Sequence, residues 1–310
     1  MKISVIGAGM VGTDIVSYLF NVGNFSEIVL VDINNEKSYA EIMDFRHTQS
    51  LFYTKNTKLN YGSYKDCKDS DIVIITAGVQ VKKGDTRESI AAANSKITVE
   101  IVKELEKYTP NSILILVTNP VDVVTYFAIK HSKFPAHKVM SSGTLLDTSR
   151  LTYYLSTKFD IDPKNINAYV FGEHGKTCFI PWSLCNIFGV NIDIFTKQNG
   201  FPSINKKEVE KYVIDSGFDI FLKKGNTNHG IAASIYRIVR AITVNEKSIL
   251  PVGLYVDNMY DIDDVVLALP AIISKNGIKK VLKIDFNDVE KEKLKESADF
   301  LKKIINTVKI

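Results

Sequence analysis

Cysteine and arginine are scarce in this sequence and no apolar run is long, and each shortage closes off a class of protein. Three cysteines in 310 residues, Cys67, Cys178 and Cys185, include no CxxC pair. That odd set suits reduced thiols in a reducing compartment, not a disulfide frame or a zinc knuckle. The five histidines include no HExxH, so no metal site is expected. The longest apolar stretches, residues 112–117 and 265–273, fall far short of the run of about 20 that spans a bilayer. The opening MKISVIGAGMVGTDI follows one lysine with apolar residues, as a signal peptide would. Glycines interrupt it and Asp14 follows, so a buried first strand is expected, in a cytoplasmic chain without membrane contact.

No charge of one sign dominates either. Lysine and arginine total 39 against 35 acids, a net charge of +4, with the two signs interleaved. Nucleic-acid binders concentrate basic charge on one element, so nucleic acid is not an expected partner. Hydrophobic content of 45% and charged content of 24% are ordinary globular values, which excludes disordered and fibrous classes. The length is comfortable for two domains. The five arginines are Arg46, Arg87, Arg150, Arg237 and Arg240. In so lysine-rich a chain each is a candidate for a place that needs a rigid bidentate fork. An ordinary surface role is the equal alternative for any one of them.

What is present is an alternation. Residues 3–6, 28–32, 72–75 and 113–117 are near-continuous β-branched runs, the kind buried on both faces of a parallel sheet. Between them, residues 10–22, 38–49 and 90–107 repeat apolar side chains at three- and four-residue spacing. The order predicts a doubly wound parallel sheet, a Rossmann domain over residues 1–143. Residues 144–310 change texture and predict an α+β domain. Helices are expected at 145–158, 209–222, 231–243 and 288–308, and strands at 167–171 and 282–286.

Gly7, Gly9 and Gly12, with Ala8, Met10 and Val11 between them, follow the first strand and open the first helix. The spacing alone is weak evidence. A strand before, a helix after and Asp32 twenty residues past Gly12 make it a dinucleotide fingerprint. Glycines allow close backbone approach, and the helix N-terminus offers free N–H groups to a pyrophosphate. The Asp32 carboxylate suits two ribose hydroxyls and repels a 2′-phosphate, which favours NAD over NADP.

Further polar groups fall at strand ends, where open α/β sheets place their ligands. Ala77 and Gly78 close one strand ahead of a charged loop that ends in Arg87. Thr118 and Asn119 close another, followed by Pro120. Asp147 and Arg150 lie three apart on one helix and share a face. His174 sits within Gly172-Glu173-His174-Gly175, where glycines let the backbone turn sharply. Singly, His174 reads equally well as a capped loop histidine, and Asp147–Arg150 as a helix-surface pair.

The ordered segments GAGMVG, TAG, GDTR, TNPVD, SSGTLLDTSR and GEHG resemble the signature of the L-lactate/L-malate dehydrogenase family, from Lys2 to the C-terminus, with KGNTNHGIA and LPAII also fitting. The resemblance implies an NAD-dependent 2-hydroxy acid dehydrogenase, most simply of the lactate type. His174 is then the acid/base, the side chain whose pKa lies nearest neutrality. Asp147 holds its other ring nitrogen, and Arg150 clamps the substrate carboxylate. Arg87 closes over the site on its loop, and Asn119 hydrogen-bonds the C2 oxygen. The resemblance also implies Thr227 at the substrate and Tyr64, Asn94 and Ser142 at the cofactor, in a homodimer or homotetramer. Cys178, four residues past His174, is expected to be core filler, since no acyl-transfer machinery accompanies it.

The loop place that separates family members is held by Val81, where lactate enzymes carry glutamine and malate enzymes arginine. An apolar residue leaves a second carboxylate unpaired, which disfavours malate unless Lys82 or Lys83 turns inward. Pyruvate or a 2-oxo acid with a larger aliphatic tail fits better. FPAHKV and GTLLDTSR are similar to the 2-hydroxyisocaproate branch, which carries a longer loop. Two departures, Lys176 after Gly175 and Lys83 in the loop, bear on the field near His174 and on loop rigidity. A non-catalytic NAD-binding sensor is the non-enzyme alternative; it would have no need of the His174, Asp147, Arg150 and Arg87 set. Where many bacterial lactate enzymes use an arginine and a histidine to bind fructose 1,6-bisphosphate, this chain has Thr152 and Asn167. Neither supplies positive charge, so no activation by that sugar phosphate is expected. Pyruvate titrations with and without it should superimpose, and a large drop in half-saturation would contradict this.

Overall fold

Near-continuous β-branched runs cannot face water on either side, and the computed structural model, which describes residues 1–51, 56–79 and 87–310, buries them in one sheet. Arg87 is described by its backbone alone. Val81, Lys82, Lys83 and the rest of the loop before Arg87 lie outside the described residues. The first half interleaves β1 (Lys2–Ile6), α1 (Met10–Val22), β2 (Glu27–Val31), α2 (Asn35–Thr48), β3 (Lys58–Gly62), β4 (Ile72–Ile75), α3 (Arg87–Tyr108), β5 (Ile113–Leu116), α4 (Val121–Lys130) and β6 (Val139–Ser141). Every residue of β4 and β5 is buried. Their side chains alternate between faces as the pleat requires. Ile72, Ile74, Ile113 and Ile115 join the core that holds α1, while Val73, Ile75, Leu114 and Leu116 join the core that holds Val102 and Leu105 of α3.

The second half adds α5 (Leu145–Phe159), the short strands β7 (Ile166–Asn167), β8 (Asn186–Ile187) and β9 (Val190–Asn191), then α6 (Ile192–Gln198), α7 (Lys206–Lys224) and α8 (His229–Thr243). It ends with β10 (Ile249–Val256), β11 (Val265–Ser274), β12 (Gly277–Val281) and α9 (Asp288–Thr307). Among the described residues the main sheet has nine strands in the order β12-β11-β10-β6-β5-β4-β1-β2-β3. Strands β1 to β6 are mutually parallel, and β10 joins β6 antiparallel. The doubly wound sheet expected from the sequence is therefore present. Its strand order reverses between β1 and β4, which opens a crevice at the carboxyl ends of the parallel strands.

Three differences from the sequence reading have local causes. The apolar stretch over residues 265–273, given no element in the sequence reading, is a strand, and with β10 and β12 it extends the parallel sheet. β10 is hard to see because Pro251 and Gly253 interrupt it, residues that weaken a strand reading. The strand expected over 167–171 shrinks to β7, because hydroxyls at the N-cap and in the first turns of α5 take the bonds a neighbouring strand would make. Thr148 Oγ1 accepts the Val170 N–H at 3.0 Å and Thr144 Oγ1 donates to the Val170 carbonyl. The strand expected over 282–286 is absent: the Tyr260 hydroxyl accepts the Ile284 N–H and donates to the Ile284 carbonyl at 3.0 Å.

Gly253 marks where the halves of the sheet meet. A Cβ there would stand 1.9 Å from Ser141 Oγ on β6 and 3.2 Å from Asp122 Oδ1. Gly253→Ala should lower stability by about 1–3 kcal/mol, the usual cost of overpacking, and Ser141→Gly in the same chain should restore part of it. Urea denaturation of the two variants checks this.

Candidate active site

The ends of the six parallel strands carry most of the polar residues singled out in the sequence. After β1, Gly7 adopts φ +109°, and a Cβ on Gly12 would lie 1.9 Å from the Gly7 carbonyl. The turn into α1 is thus closed to larger residues at both places. A Cβ on Gly9 would meet nothing within 4 Å, so the protein leaves open the face a pyrophosphate would occupy. At the end of β2, Asp32 Oδ2 accepts the Ala8 N–H at 2.6 Å and Oδ1 accepts the Asn34 N–H at 2.8 Å. Each oxygen keeps acceptor capacity for a ribose hydroxyl. Met10 and Val79 are exposed beside this crevice, and Ile33, next to Asp32, is fully exposed. An apolar side chain so placed offers a surface for a base, and the sequence reading missed it. These features fit a dinucleotide.

Tyr64 follows β3, where burial and then the charges of Cys67, Glu104 and Asp32 push its hydroxyl pKa up. Ala77 and Gly78 follow β4, and Thr118 Oγ1 donates to the Ala77 carbonyl at 2.8 Å. Buried Asn94 accepts the Val79 N–H at 2.7 Å and donates to the Asn119 carbonyl at 2.6 Å, bracing the ends of β4 and β5 together. Asn119 itself is exposed at the end of β5. Ser142, buried after β6, donates its N–H to the Leu116 carbonyl.

Asp147, in the first turn of α5, is 4% exposed and holds two partners. Its Oδ2 lies 2.6 Å from His174 Nδ1, and its Oδ1 accepts from Arg150 Nη1 at 2.8 Å. His174 reaches it from the loop after Gly172, whose φ of +94° and close approach to Ser297 Oγ exclude a side chain. That loop is closed by mutual Phe171–Phe179 backbone bonds and tied to β11 by mutual Gly172–Ala268 bonds. The Asp122 carboxylate, in the first turn of α4, accepts the His174 backbone N–H at 2.7 Å. Gly217 of α7 leaves room for Arg150, since a Cβ there would lie 3.1 Å from Nη2. Asp122 and Gly217 escaped the sequence reading, because both act on partners remote in sequence.

The electrostatics follow from these contacts. The charge of Asp147 raises His174 to about 8, against burial, which lowers it. Burial works to raise Asp147, but the charges and hydrogen bonds of His174 and Arg150 prevail and hold it below the usual carboxylate range. Burial and then Asp147 push the Cys178 thiol far above the usual thiol range, which keeps it protonated. Thr227 lies half-buried between α7 and α8, ahead of Asn228, whose amide donates to Asp14 on α1 at 2.7 Å. Lys176 is exposed. Thr152 Oγ1 turns back to the Thr148 carbonyl at 3.2 Å, and exposed Asn167 donates to Asn186 at 3.0 Å.

Strand ends lined by a glycine turn and an acid, beside a buried imidazole–carboxylate–guanidinium set, define a dinucleotide-dependent α/β enzyme. Residues 1–141 match the lactate/malate dehydrogenase NAD binding domain, and residues 144–310 match the lactate/malate dehydrogenase alpha/beta C-terminal domain. The chain belongs to the lactate/malate dehydrogenase family. It is 43% identical over 310 residues to L-lactate dehydrogenase 2 of Clostridium acetobutylicum, covering 98% of this chain and 96% of that one. It is 46% identical over 303 residues to an L-lactate dehydrogenase of Clostridium perfringens, covering 97% and 95%. The crystal structure of a ligand-bound minor L-lactate dehydrogenase from Enterococcus mundtii superimposes with a TM-score of 0.95 at 33% identity, covering 100% of this chain and 98% of that one.

The raised imidazole has a defined pH signature. A histidine raised from 6.5 to about 8 on folding contributes about 2 kcal/mol of stability, complete below 6.5 and lost as pH rises through 8. NMR of histidine-labelled protein should show His174 titrating near 8. Asp147→Asn should bring that midpoint below 6.5, because burial then meets little opposition. A wild-type midpoint at or below 6.5 would contradict the pairing.

Proposed function

We propose that this chain is an NAD-dependent L-lactate dehydrogenase that interconverts pyruvate and L-lactate. The observation that carries the reading is Asp147 bonded to His174 on one oxygen and to Arg150 on the other, in a chain whose relatives are named L-lactate dehydrogenases. The chain divides into a cofactor-binding part, residues 1–143, and a catalytic part, residues 144–310.

Gly7 to Gly12, Asp32, Tyr64, Ala77, Gly78, Asn94, Thr118, Asn119 and Ser142 are the residues that would hold the nucleotide. A reduced nicotinamide held there would supply the hydride for C2 of the keto acid. Arg150 keeps Nη1 on Asp147 and presents the rest of its fork to the substrate carboxylate. With a pKa of about 8, His174 is mostly protonated at pH 7, so its Nε2 carries the proton that passes to the C2 oxygen. Asp147 stabilises the imidazolium and fixes the tautomer. In the reverse direction the neutral imidazole accepts the hydroxyl proton of lactate. Asn119 and the loop residue Arg87 stabilise charge on the same oxygen, each worth on the order of 2.7–4 kcal/mol of barrier. Val81 carries no charge to pair with a second carboxylate, which disfavours malate unless Lys82 or Lys83 turns inward, and Thr227 completes the pocket. The protein acts as a cytoplasmic homodimer or homotetramer, without fructose 1,6-bisphosphate activation. Among the described residues no helix is long and apolar enough to cross a membrane.

NADH oxidation assayed with pyruvate, 4-methyl-2-oxopentanoate and oxaloacetate should be fastest with pyruvate. A preference for the branched acid or for oxaloacetate would reassign the substrate, and NADH binding without turnover on all three would leave a sensor. His174→Asn should lower kcat by roughly two to four orders of magnitude while NADH still binds. Near-normal activity of that variant would remove His174 from the reaction.

A further inference from the structure

The reaction above leaves the buried carboxylate of Asp122 without a task. Asp122 ends the TNPVD run, is 2% exposed and lies three residues after Asn119, in the first turn of α4. Its Oδ2 accepts the backbone N–H of His174, 52 residues away in sequence, at 2.7 Å. His174 is therefore gripped twice, at the ring by Asp147 and at the backbone by Asp122. A neutral group would satisfy an amide at less cost than a buried carboxylate. The preceding N–H in the same loop shows this, since Glu173 donates its own to Ser297 Oγ. The N-terminus of α4 offsets part of the desolvation, and the Asp122 charge acts on the imidazole in the same direction as that of Asp147.

Resting on the dehydrogenase reading, we propose that Asp122 is a positioning residue, tying the His174 loop to the strand end that carries Asn119. The tie crosses from the cofactor-binding half to the catalytic half. It sets the distance between the proton donor and the amide that share one substrate oxygen. The charged groups acting on the imidazole are Asp147 and Arg150 from α5 and Asp122 from α4, with exposed Lys176 two residues further along its own loop.

The test compares D122N and D122A with the wild-type enzyme, each saturated with NADH and assayed on pyruvate across pH. Asn keeps the size and the acceptor oxygen but not the charge. It should move the high-pH limb of kcat/KM to lower pH by roughly half a unit, less than the one to three units expected of a carboxylate in direct contact. Ala removes the tie and should lower kcat by about 10²-fold, the scale of a 1 Å misplacement, with NADH affinity kept within about twofold. A purely structural Asp122 would leave the pH limb where it is, and superimposable profiles for D122N would overturn the proposal. If either variant fails to fold, the wild-type protein labelled with 15N-histidine decides. Of its five histidine amides, that of His174 should lie far downfield, as a short charge-assisted bond requires. An ordinary shift would overturn the tie. Wild-type inactivity on pyruvate would sink the functional reading, while the amide measurement judges Asp122 by itself.

Discussion

Asp147 gives one oxygen to the imidazole of His174 and the other to the guanidinium of Arg150, in a place almost closed to water. Such a carboxylate is costly unless both oxygens are paired, and removal of one partner leaves an uncompensated charge. The arrangement therefore holds as a unit or not at all. The N-terminal turn of α5 adds a favourable dipole. Gly217 on α7 leaves the space that the Arg150 guanidinium occupies. One acid thus raises the imidazole of His174 and fixes the orientation of the Arg150 guanidinium.

The sheet explains why this unit can meet a nucleotide. Each of the six parallel strands ends at the same edge, where Gly7, Asp32, Tyr64, Ala77, Thr118 and Ser142 follow them. The His174 loop would be an independent appendage without its anchors. Gly172 pairs with Ala268 on β11, Ser297 accepts the Glu173 N–H, and Asp122 accepts that of His174. Two of these anchors come from the C-terminal half and one from the N-terminal half, so the loop is sited by both.

Sequence legibility follows the range of the forces involved. The glycine turn and Asp32 are readable because their constraints act within one strand–turn–helix unit. β4 and β5 are readable because burial on both faces leaves an unbroken apolar run. Asp147 and Arg150 share a helix face, but the reach of His174 to that face became legible only through family likeness. β10 was hidden by Pro251 and Gly253, whose fit depends on Pro270 and Ser141 across the sheet. The runs at 167–171 and 282–286 have strand composition, yet side-chain hydroxyls take the hydrogen bonds that strand neighbours would make. Asp122 and Gly217 carry no local signal, since each is defined by a partner more than fifty residues away.

The most direct measurement is a crystal structure of the protein with NADH and oxamate, an unreactive analogue of pyruvate. The account predicts the oxamate carboxylate on the free edge of Arg150, its keto-type oxygen within hydrogen-bond distance of His174 Nε2, and Asp147 still holding both residues. A complex with the nicotinamide remote from His174, or with His174 and Arg150 on opposite sides of the ligand, would contradict it.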